Sequence, residues 1–186
     1  MPQDLLESRA AAAGRLDKAL KERGVACPLF MITSGGGLTA LDTARKFPIR
    51  LVESGPAGGA ILAAALARQC GLDKVLSFDM GGTTAKICLI DNGEPQHSRT
   101  FEVARQYRFL KGSGLPLRIP VIEMVEIGAG GGSIAWLDDA GALKVGPRSA
   151  GADPGPVAYG RGGTEPTLTD ANIVLHRLDP VALLGG

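Results

Sequence analysis

Residues 77–90, Ser77-Phe78-Asp79-Met80-Gly81-Gly82-Thr83-Thr84-Ala85-Lys86-Ile87-Cys88-Leu89-Ile90, constrain this chain more than any other stretch. Val75, Leu76 and Phe78 make one apolar run, and Ile87, Cys88, Leu89 and Ile90 make a second. Runs of that length bounded by turn residues read as strands, the first of them buried. Between them lie a carboxylate, two glycines and two threonines. Gly81 and Gly82 let backbone N–H groups approach a ligand that a Cβ would block. Successive N–H groups in such a bend form a concavity for an anion. Asp79 at the strand end suits a divalent cation, and Thr83 and Thr84 add hydroxyls. The combination suits a nucleotide phosphate with its metal. The spacing equally fits a hairpin turn capped by an Asp, with glycines serving the turn's φ values. It is not a Walker A loop, because no G-x-x-x-x-G-K-[ST] occurs and no helix pattern follows.

Composition narrows the surroundings of that bend. A chain of 186 residues holds one substantial core, or one domain with an appendage. Aromatics are 4% while glycine reaches 27 and proline 12, favouring a small-residue α/β protein with glycine loops over a β-sandwich. A net charge of +1 argues against an electrostatic surface for nucleic acid or membrane, and neither is expected as a partner. Cys27, Cys70 and Cys88 form no C-x-x-C pair and read as buried free thiols in a reducing compartment. His97 and His176 are too isolated for a histidine zinc site. The apolar run 60–67 is far too short to span a membrane. The polar, helical N-terminus does not resemble a signal peptide, so the cytoplasm is the expected address.

Helix and strand signals alternate over the first half. Asp4 with Glu7 three residues on resembles a capping box, Leu5, Ala12, Leu16 and Leu20 mark a helix face, and Gly24 supplies a stop. A strand is expected over 29–32, a flexible Ser34-Gly35-Gly36-Gly37 loop, a short helix over 38–46 ended by Pro48, and a strand over 49–52. Ser54-Gly55-Pro56-Ala57-Gly58-Gly59 opens an alanine-rich helix to about Cys70, with Pro56 in the first turn. Asp91-Asn92-Gly93 is a hairpin signal. Residues 95–148 carry strand-like runs, notably 121–127 and 133–137, with Asp138-Asp139-Ala140-Gly141 as a turn. The stretch 146–163 reads as a long Gly/Pro functional loop, and Thr169 as the cap of a helix over 170–176. Leu184-Gly185-Gly186 reads as the start of a loop. The expected division is therefore an α/β layer with the phosphate loop over about 1–94 and a strand-rich part with the Gly/Pro loop and a last helix over about 95–186.

Other candidates carry two readings each. Gly128-Ala129-Gly130-Gly131-Gly132-Ser133 fails the dinucleotide fingerprint, since Ser133 replaces its third glycine and a strand follows. It is either a loop of close backbone approach or a bulge-rich turn. Ser54 at a helix start either binds an anion or caps the helix. Asp153 and Asp170 are further carboxylates, Asp170 fitting a helix N-terminus. Arg148 and Arg161 flank the Gly/Pro loop and meet either an anion or solvent. No G-x-S-x-G supports a serine hydrolase at Ser34 or Ser133.

Six segments in order resemble the hydantoinase A / 5-oxoprolinase family: Ser54-Gly55-Pro56-Ala57-Gly58-Gly59, Asp79-Met80-Gly81-Gly82-Thr83-Thr84, Gly128-Ala129-Gly130-Gly131-Gly132-Ser133-Ile134-Ala135, Pro154-Gly155-Pro156, Tyr159-Gly160-Arg161-Gly162-Gly163 and Pro166-Thr167-Leu168-Thr169-Asp170-Ala171-Asn172. The resemblance implies an α/β fold of the actin-like ATPase (ribonuclease H-like) type, a half with a mixed sheet and flanking helices plus a Gly/Pro-rich loop region. It implies ATP-dependent opening of cyclic amides of the hydantoin or 5-oxoproline class, with an acetone-carboxylase-like ATP-binding subunit or a non-catalytic assembly subunit as alternatives. By the same resemblance, Asp79 and Thr83 are the catalytic candidates. Gly81, Gly82, Thr83 and Thr84 are expected to bind ATP, Gly130, Gly131, Gly132 and Ser133 to bind ATP or the substrate, and Asp79 to bind Mg²⁺. Two positions depart from the family pattern: Lys86 where an Asp often follows the bend, and Val125-Glu126 where many relatives carry a histidine. The family's first Asp-x-Gly-Gly-Thr loop has no counterpart here. The expectation is a central piece of a longer polypeptide that folds alone but hydrolyses no ATP without its N-terminal half, with a hydantoinase B-type subunit as a further partner.

Overall fold

The computed structural model describes residues 3–103 and 112–181. The Asp4–Glu7 capping pair and the Leu184-Gly185-Gly186 ending lie outside the described side chains and residues. The architecture is mixed α/β, as the sequence implied. Contacts group the chain into two compact units, Met1–Ser77 with Cys88–Met124, and Phe78–Ile87 with Val125–Gly186.

In the first unit, α1 (Gln3–Glu22) ends at Gly24, whose φ of 81° and N–H bond to the Lys21 carbonyl close the helix as expected. β1 (Phe30–Ile32) pairs antiparallel with β2 (Leu38–Ala40), and α2 covers only Leu41–Lys46. The helix expected over 38–46 is thus half strand. The Thr33–Gly37 segment is a tight turn, closed by Gly36 N–H to Thr33 O at 2.9 Å and Thr33 N–H to Gly37 O at 2.8 Å, which delivers Leu38 opposite Ile32. The strand expected over 49–52 is instead a 3₁₀ turn, Pro48–Leu51, because the proline ring presets helical φ. The Arg50 carbonyl then accepts both the N–H and the hydroxyl of Ser34.

α3 (Ser54–Gln69) starts one residue earlier than an N-cap serine would allow: Glu53, at φ 60°, is the N-cap, and Ser54 lies inside the first turn. Ala57, Ala60 and Ala64 of α3 are fully buried. Their small side chains bring the helix close to Cys88, Ile90 and Ile122, with Ile61, Ala63, Val75 and Met124 around them. That cluster is the core of the unit; burial of Ile90 and Ile122 contributes about 1.5–3 kcal/mol each, and each alanine methyl about 0.8 kcal/mol. β3 (Lys74–Met80) and β4 (Ala85–Asp91) are the strands expected on either side of the bend, but β3 is not buried: Leu76 and Phe78 are exposed. Asn92 and Gly93, at φ 52° and 73°, make the turn from β4 to β5 (Glu94–Pro95). β6 (His97–Ser98) pairs with β9 (Val121–Ile122), and β7 (Phe101–Val103) with β8 (Leu115–Leu117). Burial raises the Cys88 thiol pKa, opposed by a hydrogen bond from the Gln96 backbone and reinforced by the charge of Glu123. Cys27 and Cys70 are exposed, contrary to the expectation of buried thiols. Their flanking apolar residues do not enclose them.

In the second unit, β10 (Val125–Ile127) pairs antiparallel with the start of β4, and β11 (Ser133–Leu137) pairs with β12 (Leu143–Ser149). The single run expected over 121–127 is therefore two strands with different partners, separated by Glu123 and Met124. The Asp138 turn forms as expected, its carboxylate accepting from the N–H groups of Ala140 and Ala142. Part of the expected Gly/Pro loop belongs to β12, and Val157–Tyr159 is a 3₁₀ turn. α4 (Leu168–Val174) is capped by Thr167, two residues before the cap read from sequence.

Candidate functional site

The second unit brings the Asp79–Thr84 bend and the Gly128–Ser133 loop together. β3 ends at Met80, and Gly81 N–H closes the bend on the Thr84 carbonyl at 2.9 Å. β10, alongside β4, delivers the glycine loop to the same place. Gly131 N–H donates to Gly81 O at 2.9 Å and Gly132 N–H to Gly82 O at 2.7 Å. Ser133 N–H donates to Gly130 O, and Gly130 N–H to the Ser133 hydroxyl at 2.9 Å. All four N–H groups from Gly130 to Ser133 are thereby bound to protein acceptors, and the Ser133 side chain is buried.

The two sets of glycines are required for different reasons. A Cβ on Gly130 would lie 2.6 Å from Gly82 C and from Thr83 N, and 2.7 Å from Gly81 O. One on Gly131 would lie 2.6 Å from the Thr169 hydroxyl, and one on Gly132 would lie 2.9 Å from Gly82 O and from the Ser149 hydroxyl. These three glycines let one backbone lie against another. In contrast, a Cβ on Gly82 meets nothing within 4 Å, and one on Gly81 meets only Thr84 O at 3.7 Å. Neither Gly81 nor Gly82 has a positive φ. Gly81, Gly82 and Thr83 are exposed, and among the described residues no acceptor faces the N–H groups of Gly82, Thr83 or Thr84.

Asp79 is exposed, next to last in β3 before the bend, and its carboxylate has no hydrogen-bond or ionic partner among the described residues. No group of three or more His, Cys, Asp or Glu side chains occurs among the described residues. A lone carboxylate beside free N–H groups fits a cation that takes most of its ligands from phosphate and water, as Mg²⁺ does, and not an all-protein cage. Lys86 does not face solvent. Its side chain is 15% exposed, and its ammonium lies 3.7 Å from Glu126 directly across the β4–β10 ladder. The two departures from the family pattern are thus neighbours of opposite charge, a cross-strand pair of a kind that contributes about 0.2–1 kcal/mol.

Behind the loop, Thr169 N–H donates to Gly131 O and Ala150 N–H to Gly132 O, both at 2.8 Å. Asp170 completes a capping box with Thr167 and also accepts from the N–H groups of Val157 and Ala158. Burial pushes its pKa up, but hydrogen bonds from the Thr167 hydroxyl and from the N–H groups of Ala158, Thr167 and Val157 outweigh it, and the net direction is downward. In the sequence Asp170 reads as a helix-start carboxylate; the T-x-x-D spacing from Thr167 is the signal for its fuller role. Arg148 grips both Glu165 oxygens at 2.7 and 2.9 Å in an exposed pair.

The family model described as Hydantoinase/oxoprolinase matches residues 5–186. Caprolactamase subunit alpha of Pseudomonas jessenii is 44% identical over 172 residues, covering 92% of this chain and 23% of that protein. The crystal structure of the ATP-dependent caprolactamase from the same organism superposes with a TM-score of 0.62 at 39% identity, over 95% of this chain and 24% of the other. The nucleotide-free structure of acetone carboxylase, from work on ATP-dependent acetone carboxylation, superposes with a TM-score of 0.70 at 31% identity, over 90% of this chain and 22% of the other. The chain spans less than a quarter of the length of these relatives.

Proposed function

The chain belongs to the hydantoinase/oxoprolinase family, and from that premise we propose that residues 79–84 hold the phosphates of ATP within a longer polypeptide that opens a lactam or imide ring. The observation that carries this reading is the contrast in backbone donors. The N–H groups of Gly82, Thr83 and Thr84 have no acceptor among the described residues and border open space at Gly82, while the facing loop has bound all of its own. Fixed N–H donors that need no reorganisation stabilise developing negative charge strongly.

Asp79 would hold Mg²⁺, directly or through water, and the exposed Thr83 would offer its hydroxyl to the same phosphates. Gly81 and Gly82 keep the floor free of Cβ atoms. Gly130 to Ser133 contribute by backing the bend, since their own donors are committed. ATP, when bound, would supply a phosphoryl group to the ring carbonyl oxygen, with ADP leaving, and so make the carbonyl carbon open to attack by water. The need is chemical: a small lactam is a stable amide, and its nitrogen is a poor leaving group.

The likeness to acetone carboxylase favours a second reading, in which the same phosphate cradle serves carboxylation of a ketone with a partner subunit. The experiment that separates the two is ATP hydrolysis by the full-length protein, with and without a second subunit. Stimulation by hydantoin, 5-oxoproline or caprolactam supports ring opening. Stimulation only by acetone with bicarbonate supports carboxylation. ATP turnover indifferent to every one of these compounds contradicts both.

A further inference from the structure

We propose that Asp170 is a positioning residue for the phosphate bend: its carboxylate fixes the start of α4, and through Thr169 and Gly131 that start fixes the shape of residues 81–84. The inference rests on reading the bend as a phosphate cradle.

Asp170 touches none of the bend residues. Its Oδ2 accepts from Thr167 N–H at 2.8 Å, the Thr167 hydroxyl at 2.7 Å and Val157 N–H at 3.3 Å, and its Oδ1 accepts from Ala158 N–H at 2.8 Å. Four donors from two separate segments converge on one carboxylate, so the 3₁₀ turn and the α4 entry are locked to each other. The next link is Thr169, adjacent in the same helical turn. Its N–H donates to Gly131 O at 2.8 Å, and its hydroxyl occupies the space a Cβ on Gly131 would need. Gly131 N–H in turn holds Gly81 O at 2.9 Å, and Gly81 N–H holds Thr84 O at 2.9 Å. After the carboxylate and the chain step to Thr169, each link is a backbone–backbone hydrogen bond of 2.8–2.9 Å, a good length. A carboxylate suits the first link because all four partners donate. An asparagine amide would turn an N–H₂ group toward at least one of them, leaving donor against donor.

Hydrogen exchange of the full-length, nucleotide-free protein tests the proposal, resolved at Gly81, Gly131 and Gly132. Asp170→Asn is expected to accelerate exchange at those amides about tenfold, the equivalent of one lost hydrogen bond. Trp136→Phe is the control, because it removes the 2.7 Å indole bond to Gly146 O, which lies outside the relay. At matched loss of Tm it leaves the three amides unchanged. Thr167→Val keeps the carboxylate and deletes one donor, so it accelerates the same amides by a smaller factor and serves if Asp170→Asn does not fold. In an ATPase assay, either Asp170→Asn or Thr167→Val raises KM for ATP. Exchange at Gly81, Gly131 and Gly132 that is unmoved in both, or that moves equally in Trp136→Phe, overturns the proposal. The exchange readout contains no nucleotide. A protein that shows the acceleration but never binds ATP keeps the relay and loses the cradle reading, while unmoved amides in a protein that binds ATP lose the relay alone.

Discussion

Gly130, Gly131 and Gly132 face Gly81 and Gly82 across two hydrogen bonds, yet the two groups of glycines answer to different demands. The first group is required by the chain itself: a methyl at any of the three collides with atoms already present. At Gly82 the chain requires nothing, for φ is ordinary and the space beyond is open. A glycine that the fold needs is explained by the fold. One that the fold does not need is explained by what approaches it. The comparison teaches that a glycine-rich motif is two different statements, separable only by asking what a Cβ would meet.

The strongest way to break this comparison is Gly130→Ala. The methyl would sit 2.6 Å from backbone atoms of the bend, and backbone cannot swing aside as a side chain does. A loss of about 3 kcal/mol or more is expected in chemical denaturation; unchanged stability would mean that the loop does not lie against the bend. Next is Asp79→Asn, a change at an exposed, unpartnered carboxylate. It is expected to leave Tm unaltered and to lower ATP turnover of the full-length protein about a hundredfold, the usual loss when one preorganised electrostatic group is removed.

Acid titration sharpens the contrast from the supporting side. Folding lowers the Asp170 pKa, so its stabilisation is complete well above the ordinary aspartate value of about 3.9 and is lost as the pH falls through the lowered folded value. The Tm of Asp170→Asn is therefore below wild type at neutral pH and converges with it as the solution becomes acidic. The smallest effect belongs to Arg148→Ala, which removes the exposed pair with Glu165. Its cost in denaturation is expected within about 0.5 kcal/mol, and a cost as large as that of Asp170→Asn would dissolve the distinction between inner and outer struts.

Much of the fold was legible where local chemistry decides it. Asp91-Asn92-Gly93 made its turn, Gly24 stopped its helix, and strands formed on both sides of the 81–84 bend. Local reading failed where a distant partner decides. Leu38, Leu41 and Ala44 have helical spacing, but Leu38–Ala40 found β1 across a turn and became a strand. The apolar run 121–127 was one strand by periodicity and two by partnership. Thr167 and Thr169 are equally good caps in isolation, and only the Thr167–Asp170 spacing selects the first. For the candidate site, the bend and its carboxylate were visible as residue types. The role of the second glycine loop was not, because its neighbour lies about fifty positions earlier in the sequence.

Gly82→Ala in the full-length protein is the most direct test of the cradle, read as ATP affinity and Tm on the same sample. The account predicts a Tm within about a degree of wild type, since the methyl enters open space and such surface changes fall within about ±0.5 kcal/mol, together with a loss of ATP affinity of at least tenfold. Unchanged Tm with unchanged ATP affinity would contradict it.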